Sequence, residues 1–237
     1  MFRPGFALPI LWLLHAATPM LAQDNSPPVT LQVTAHLAPL SAGHKSAPIE
    51  AVLWLTPVDH ANTPLVQPGM YQMVQKDKEF LPHLLVVPVG STISFPNADP
   101  FFHDVFSYYN GRRFDLGLYE AGSSRSVRFS REGVSYLFCN IHPEMSAVVI
   151  TMATPYYATA DPHGEFFLPA VPAGDYRLHV WTGLAKVAAD DAPEQLVHIT
   201  PGHASLGIIA GSTATAPPAQ HKDKFGQDYP PATPPLY

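Results

Sequence analysis

An all-β fold is what this chain of 237 residues predicts, and three observations carry the prediction. Short segments rich in Val, Ile, Phe and Tyr alternate apolar and polar residues with a period of two. Turn signals separate them, Val89-Gly90, Pro96-Asn97 and Glu132-Gly133 among others. The 27 prolines and 15 glycines leave few stretches in which a long helix could run.

The first 22 residues stand apart. Arg3 precedes an apolar stretch from Phe6 to Leu14, followed by Ala16, Ala17 and Ala22 and then polar Gln23-Asp24-Asn25. This is the pattern of a secretory signal peptide over residues 1–22, with a membrane anchor as the alternative. Met20 is larger than the residue usual three positions before cleavage after Ala22. A periplasmic or secreted protein is expected, with no membrane span after signal removal. Without Arg3 the chain carries 12 Lys+Arg against 19 Asp+Glu, a net charge of −7, which disfavours nucleic acid as a partner.

Residues 29–58 read as two strands, Val29 to Val33 and Ile49 to Leu55, joined across Ser41-Ala42-Gly43. After a Pro-containing connection, Asn62 to Gly69, six more follow: Tyr71 to Val74, Leu84 to Val87, Ser91 to Phe95, Ser126 to Phe129, Ser135 to Phe138 and Ala147 to Thr151. Such spacing suits a sandwich or barrel. From Pro155 a third block places Asp161-Pro162-His163-Gly164 before Glu165 to Leu168. Pro172-Ala173-Gly174-Asp175 then precedes Tyr176 to Trp181, and a last strand runs from Gln195 to Thr200. Residues 211–237 are Ala, Pro, Thr and charge with few aliphatics, so a disordered Pro-rich tail is expected there.

The third block is too short to bury a sandwich core alone. Its pattern, Thr159-x-Asp161-x-x-Gly164-x-Phe166 followed by Val171-Pro172-Ala173-Gly174-Asp175-Tyr176-x-Leu178, resembles the later strands of carboxypeptidase regulatory-like sandwiches. In that family the earlier strands look like residues 29–58. The expectation is a domain over residues 66–153 inserted into a sandwich built from 29–62 and 154–207, so that the fragment 66–153 folds by itself. The alternative assigns the first two strands to the middle domain.

Cys139 is the only cysteine of a chain expected in an oxidising compartment. An inert buried thiol, an intermolecular bridge and a metal-held thiolate are the readings open to it. Its neighbours bear on the choice, because Cys139, His142 and Met145 place a thiolate, an imidazole and a thioether within seven residues, just after a strand. These donors suit copper, and a trigonal copper site needs a second imidazole, which His103 can supply. Zinc is the competing metal, but a thioether in the fourth place suits it poorly. The candidate ligands are therefore His103, Cys139, His142 and Met145.

Three quoted segments carry a resemblance. Val86-Val87-Pro88-Val89-Gly90-Ser91-Thr92-Ile93-Ser94-Phe95-Pro96-Asn97-x-Asp99, then His103-Asp104-Val105-Phe106, then Cys139-x-x-His142-x-x-Met145 together resemble the cupredoxins, the plastocyanin and azurin family. The short ligand loop, with Pro143 after the histidine, is most similar to amicyanin. Phe114-Asp115-Leu116-x-Leu118-Tyr119 and Cys139-Asn140-Ile141-His142 also resemble a group of methylamine utilization proteins. The resemblance implies a Greek-key β-sandwich with one type 1 copper near one end, cycling between Cu(I) and Cu(II) without open coordination positions for substrate, which argues against catalysis. It departs from the family at Asp104 and Asn140, where Asn and Ser or Thr are usual. An exchange of roles is expected, with Asn140 donating and Asp104 accepting.

The function expected is a blue copper protein that carries single electrons between redox partners, not an enzyme. A transient redox protein is the expected partner, with His142 as electron exit and Pro143 and Pro100-Phe101-Phe102 forming the apolar surface around it. The alternative is a copper-holding or carbohydrate-binding envelope protein without redox turnover. No His-x-His pair or nucleophile-base spacing supports a second copper or a hydrolase, and His163, His179 and His198 read as surface or capping residues.

Overall fold

The computed structural model describes residues 30–37, 50–59, 63–108, 111–183, 195–201, 203–209 and 221–229. The expected signal peptide, the turn at Ser41-Ala42-Gly43 and most of the expected tail lie outside them. Among the described residues there is no helix. β1 (Thr30–Leu37) and β2 (Ala51–Pro57) come first, followed by β3 (Met70–Gln72), β4 (Val74–Lys76), β5 (Glu79–Leu81), β6 (Leu84–Pro88) and β7 (Thr92–Pro96). Next are β8 (His103–Ser107), β9 (Phe114–Tyr119), β10 (Ser124–Arg128), β11 (Gly133–Cys139) and β12 (His142–Met152). β13 (Tyr157–Thr159), β14 (Glu165–Pro172), β15 (Gly174–Thr182), β16 (Gln195–Ile199) and β17 (Ser205–Ile209) complete the order.

Strands from both ends of the chain pair with one another. β1 lies between β14 and β17, and β2 lies between β13 and β15, with β16 beyond β15. These two sheets enclose a core that includes Val33, Leu53, Leu55, Phe166, Leu168, Leu178 and Ile199. The middle of the chain forms a five-stranded sheet, β6-β12-β11-β8-β9, which faces the sheet β10-β7-β3 across Ile93, Phe95, Val105, Val127, Leu137 and Val149. The architecture is thus all-β, a β-sandwich joined to a second, smaller one.

A third apolar cluster binds the two sandwiches back to back. In β2, Leu53 and Leu55 enter the first core while Val52 and Trp54 turn the other way, as a period of two requires. Val52 and Trp181 there meet Val148, Ile150 and Met152 of β12, whose alternate residues Ala147 and Val149 fill the opposite core. β12 is buried on both faces, which is why Val148-Val149-Ile150 reads as a continuous apolar run rather than an alternation. Trp181 Nε1 donates to Tyr136 Oη at 3.1 Å, and Glu50 bonds His83 at 2.7 Å across the same junction. A fragment of residues 66–153 would leave this strip of β12 without its cover.

Three departures from the expected pattern have physical reasons. His103 opens the buried strand β8 rather than lying in a turn, because its backbone pairs with Tyr119 of β9. β5, β9, β13 and β17 are not among the expected strands, since β5 and β13 are only three residues long and β9 and β17 carry a glycine, Gly117 and Gly207, inside their runs. Residues 221–229, expected to be disordered, form a turn in which Phe225 and Gln227 donate to Asp223 Oδ1 at 2.9 and 2.7 Å, and they lie against β8 and β11. Local capping and polar docking supply the order that aliphatic content could not.

Trp181→Ala should destabilise the whole molecule by about 3 kcal/mol, since a large buried side chain is lost between two packed sheets. Denaturant unfolding followed by near-ultraviolet dichroism checks this, and an unchanged midpoint would show that the third cluster does not couple the sandwiches.

Candidate metal centre

The site is set by the register of two strands. Phe138 pairs with Phe106 and Cys139 with Val105, so Cys139 shares the inner face with Val105 and with His103 two residues before it. After Cys139 the chain turns at once, and Cys139 pairs with His142 at a register shift that opens β12. The result gathers His103, Cys139 and His142 so that one donor atom of each lies within 4.8 Å of the others. Cys139 Sγ is 3.6 Å from His103 Nδ1 and 3.5 Å from His142 Nδ1. At first-row metal bond lengths of roughly 2.0–2.3 Å, one ion can touch all three. The donor set therefore fits a soft first-row metal such as copper.

Burial separates the candidate ligands. His103 and Cys139 are fully buried and Met145 is 1% exposed, in the same apolar cluster as Cys139, whereas His142 is only half-buried. Burial pushes the Cys139 thiol above its ordinary value, opposed by hydrogen bonds from the backbone of Asp104, Ile141 and His142. Burial, then repulsion from His103 and Lys78, holds the His142 imidazole below its ordinary value. A neutral imidazole is the form that ligates, while the thiol must lose its proton to do so.

The imidazole of His103 is oriented from behind. Its Nε2 lies 2.9 Å from Asp99 Oδ2, which leaves Nδ1 facing the thiol. Asp99 is itself anchored by the β4–β5 hairpin, where Asp77 and Lys78 have φ of 55° and 59° and donate their backbone N–H groups at 2.6 and 3.1 Å. Against the upward push of burial, bonds from Lys78, His103 and Asp77 hold the Asp99 carboxyl below the ordinary carboxylate range. Asn97 completes the frame by accepting from Asp99 N and donating to Phe101 O. Asp99 was visible in the sequence motif, but its role needed the hairpin, which is remote in sequence.

Asp104 and Asn140 exchange roles as expected. Asn140 Nδ2 donates to Asp104 Oδ2 at 3.1 Å, and Asn140 N donates to Asp104 O at 2.8 Å. Lys224, which nothing in the sequence pointed to, reaches the same carboxylate oxygen at 3.0 Å. Phe101 packs on both imidazoles, with ring centroids 5.4 Å from His103 and 5.3 Å from His142. Phe102 and Ile141, by contrast, are 49% and 42% exposed. Two adjacent phenylalanines thus divide, one packed on both imidazoles and one facing solvent. Of the other histidines, His163 is exposed, His179 stacks on Trp54 at 5.0 Å and His198 bonds Asp175 at 2.5 Å.

Comparisons with known proteins give partial likenesses. A family model described as polysaccharide lyase family 4, domain II, matches residues 141–206. No curated protein matches. Among solved structures, a purple cupredoxin from Nitrosopumilus maritimus is 24% identical with a TM-score of 0.32, covering 35% of this chain and 99% of that one. A copper-containing nitrite reductase from Thermus scotoductus is 23% identical with a TM-score of 0.34, covering 41% of this chain and 25% of that one. A reduced amicyanin variant is 19% identical with a TM-score of 0.34, covering 42% of this chain and 98% of that one. The chain therefore spans a quarter of the nitrite reductase. The donor set, not these likenesses, carries the reading of the site.

Asp99→Ala should weaken metal binding by roughly 10–100-fold by freeing the His103 ring. Competition titration against a chelator of known affinity measures it, and an unchanged affinity would show that packing alone orients His103.

Proposed function

We propose that this chain is a periplasmic or secreted type 1 (blue) copper protein that carries single electrons between redox partners. The observation that supports it best is the donor set itself: one thiolate and two imidazoles converge from a strand pair and its tight return, with a buried thioether in the same core cluster. In this reading His103, Cys139 and His142 hold one copper, and Met145 approaches as the weaker fourth ligand. Copper supplies the one-electron couple. The protein supplies rigidity, because His103 is locked by Asp99 and Cys139 by the β8–β11 register.

Three candidate ligands are sealed from water, and His142 alone reaches towards the surface. Ile141 and Pro143 flank it in the chain, and exposed Phe102 follows Phe101, whose ring packs on His142; such apolar residues suit brief contact with a transient redox protein. The reading makes the protein a carrier rather than an enzyme. The net charge of −7 expected after signal removal weighs against nucleic acid. No helix among the described residues is long and apolar enough to cross a membrane.

A second reading, a copper-holding or carbohydrate-binding envelope protein without redox turnover, draws on the smaller sandwich. An open groove of about 950 Å³ runs there, lined by Tyr157, Phe167, Asp161 and Glu165 among others. The match of residues 141–206 to a polysaccharide lyase domain also falls largely on this sandwich.

Adding Cu(II) to the metal-free protein should load one copper per chain and produce an intense visible charge-transfer band that Cys139→Ser abolishes. Absorption and electron paramagnetic resonance measure this, and stoichiometric zinc binding with no preference for copper would overturn it. A reversible potential at an electrode separates the carrier from the second reading.

Phe102→Asp should slow electron self-exchange while leaving the copper spectrum nearly unchanged. The reverse pattern, an altered spectrum with unaffected exchange, would place the docking surface elsewhere.

A further inference from the structure

The outer face of the five-stranded sheet needs two covers. Along β11, Val134 and Tyr136 pack against the junction with the smaller sandwich, and Phe138 continues the same face beyond it. Phe106 of β8, directly opposite Phe138, lies on this face too. Both rings are nonetheless buried, at 2% and 7% exposure. Residues 221–229 provide the cover. The His221 ring sits 4.5 Å from Phe138 and 6.1 Å from Phe106, and Tyr229 closes over His221 edge-on at 5.5 Å.

The same segment grips the ligand loop through its polar atoms. Lys224 N donates to Asn140 Oδ1 at 3.0 Å, and Tyr229 Oη donates to the Cys139 carbonyl at 3.0 Å. His221 N donates to the Pro143 carbonyl at 3.3 Å, and its Nε2 lies 3.3 Å from the His142 carbonyl. Lys224 Nζ bridges Asp104 Oδ2 and Asp115 Oδ2, each at 3.0 Å, with its side chain only 17% exposed. The loop from Cys139 to Pro143 is thereby held at four residues by one short stretch of chain distant in sequence, through the backbone carbonyls of Cys139, His142 and Pro143 and the side chain of Asn140.

We propose that residues 221–229 are a strap that positions the ligand loop, with Lys224 and Tyr229 as its positioning residues. Lys224 offsets the two facing carboxylates of Asp104 and Asp115 and so lets Asp104 hold Asn140, which ties the loop to β8. Tyr229 fixes the peptide carbonyl of the residue that carries the thiol. The inference rests on the proposed metal site only in that this loop bears its donors, because every contact it invokes exists without a metal.

The test uses the full chain, metal-free and reduced, and follows modification of Cys139 by an aromatic disulfide reagent. The thiol is fully buried, so reaction requires local opening of the loop. Lys224→Met should raise the modification rate roughly tenfold or more, as expected for loss of a charge-assisted bond. Tyr229→Phe should raise it by roughly two- to tenfold, and Lys224→Arg should restore most of the protection. Hydrogen exchange should quicken at the Asn140 amide by a similar factor. Wild-type modification rates in both Lys224→Met and Tyr229→Phe would overturn the strap. So would a Lys224→Arg protein as reactive as Lys224→Met. Should Lys224→Met not fold, Tyr229→Phe decides, and a wild-type rate there overturns the proposal. Failure to bind copper would overturn the functional reading and leave this measurement standing.

Discussion

The antiparallel pairing of β8 with β11 is the constraint on which the rest depends. Cys139 opposite Val105 sets His103 and Cys139 on one face, although 36 residues separate them in the chain. A slip of one residue would turn His103 outward and Asp104 inward, since neighbouring side chains on a strand point to opposite faces. The donor triad would then be lost while every strand remained. What keeps the register is packing on both sides: Val105, Leu137 and Cys139 in the inner core, Phe106 and Phe138 under the outer cover.

Around that pairing each part of the molecule supplies one layer. The sheet β10-β7-β3 closes the inner core, and the smaller sandwich covers the β12 side of the outer face. The hairpin at Asp77-Lys78 holds Asp99, which holds His103, so a turn remote from the loop orients one imidazole. Such support from behind is how a protein prepares a ligand geometry before a metal arrives. The exposed side is left to His142 and the apolar residues near it. The same arrangement that buries His103, Cys139 and Met145 thus leaves one edge of the cluster exposed at His142.

Electrostatics around the loop are more balanced than the ligand segments alone suggest. Asp104 stands next to the candidate donor His103, and an uncompensated carboxylate there would favour the higher charge of any metal held by the cluster. Burial pushes its carboxyl above the ordinary carboxylate range, with Lys224 pulling the other way and Asp115 adding repulsion. Lys224 therefore belongs to the environment of the site, although it lies 120 residues from Asp104 in the chain.

The sequence by itself determined the fold class and named the candidate donors. Period-two alternation and turn residues reveal strands because they act locally, and Cys139, His142 and Met145 stand close together in the chain. The match of His103 to them was legible through its motif, as was the exchange between Asp104 and Asn140. Only the tertiary structure decided which neighbours serve the site. Phe101 and Phe102 are identical in type and adjacent, yet one touches both imidazoles and the other faces water, a difference set by which way the backbone turns after Asn97. Residues 221–229 lack the aliphatic pattern that marks a packed element, so their place over Phe138 and Cys139 could not be read along the chain. Their order comes from polar bonds to groups far away in sequence, and such bonds exist only once the sheet has formed.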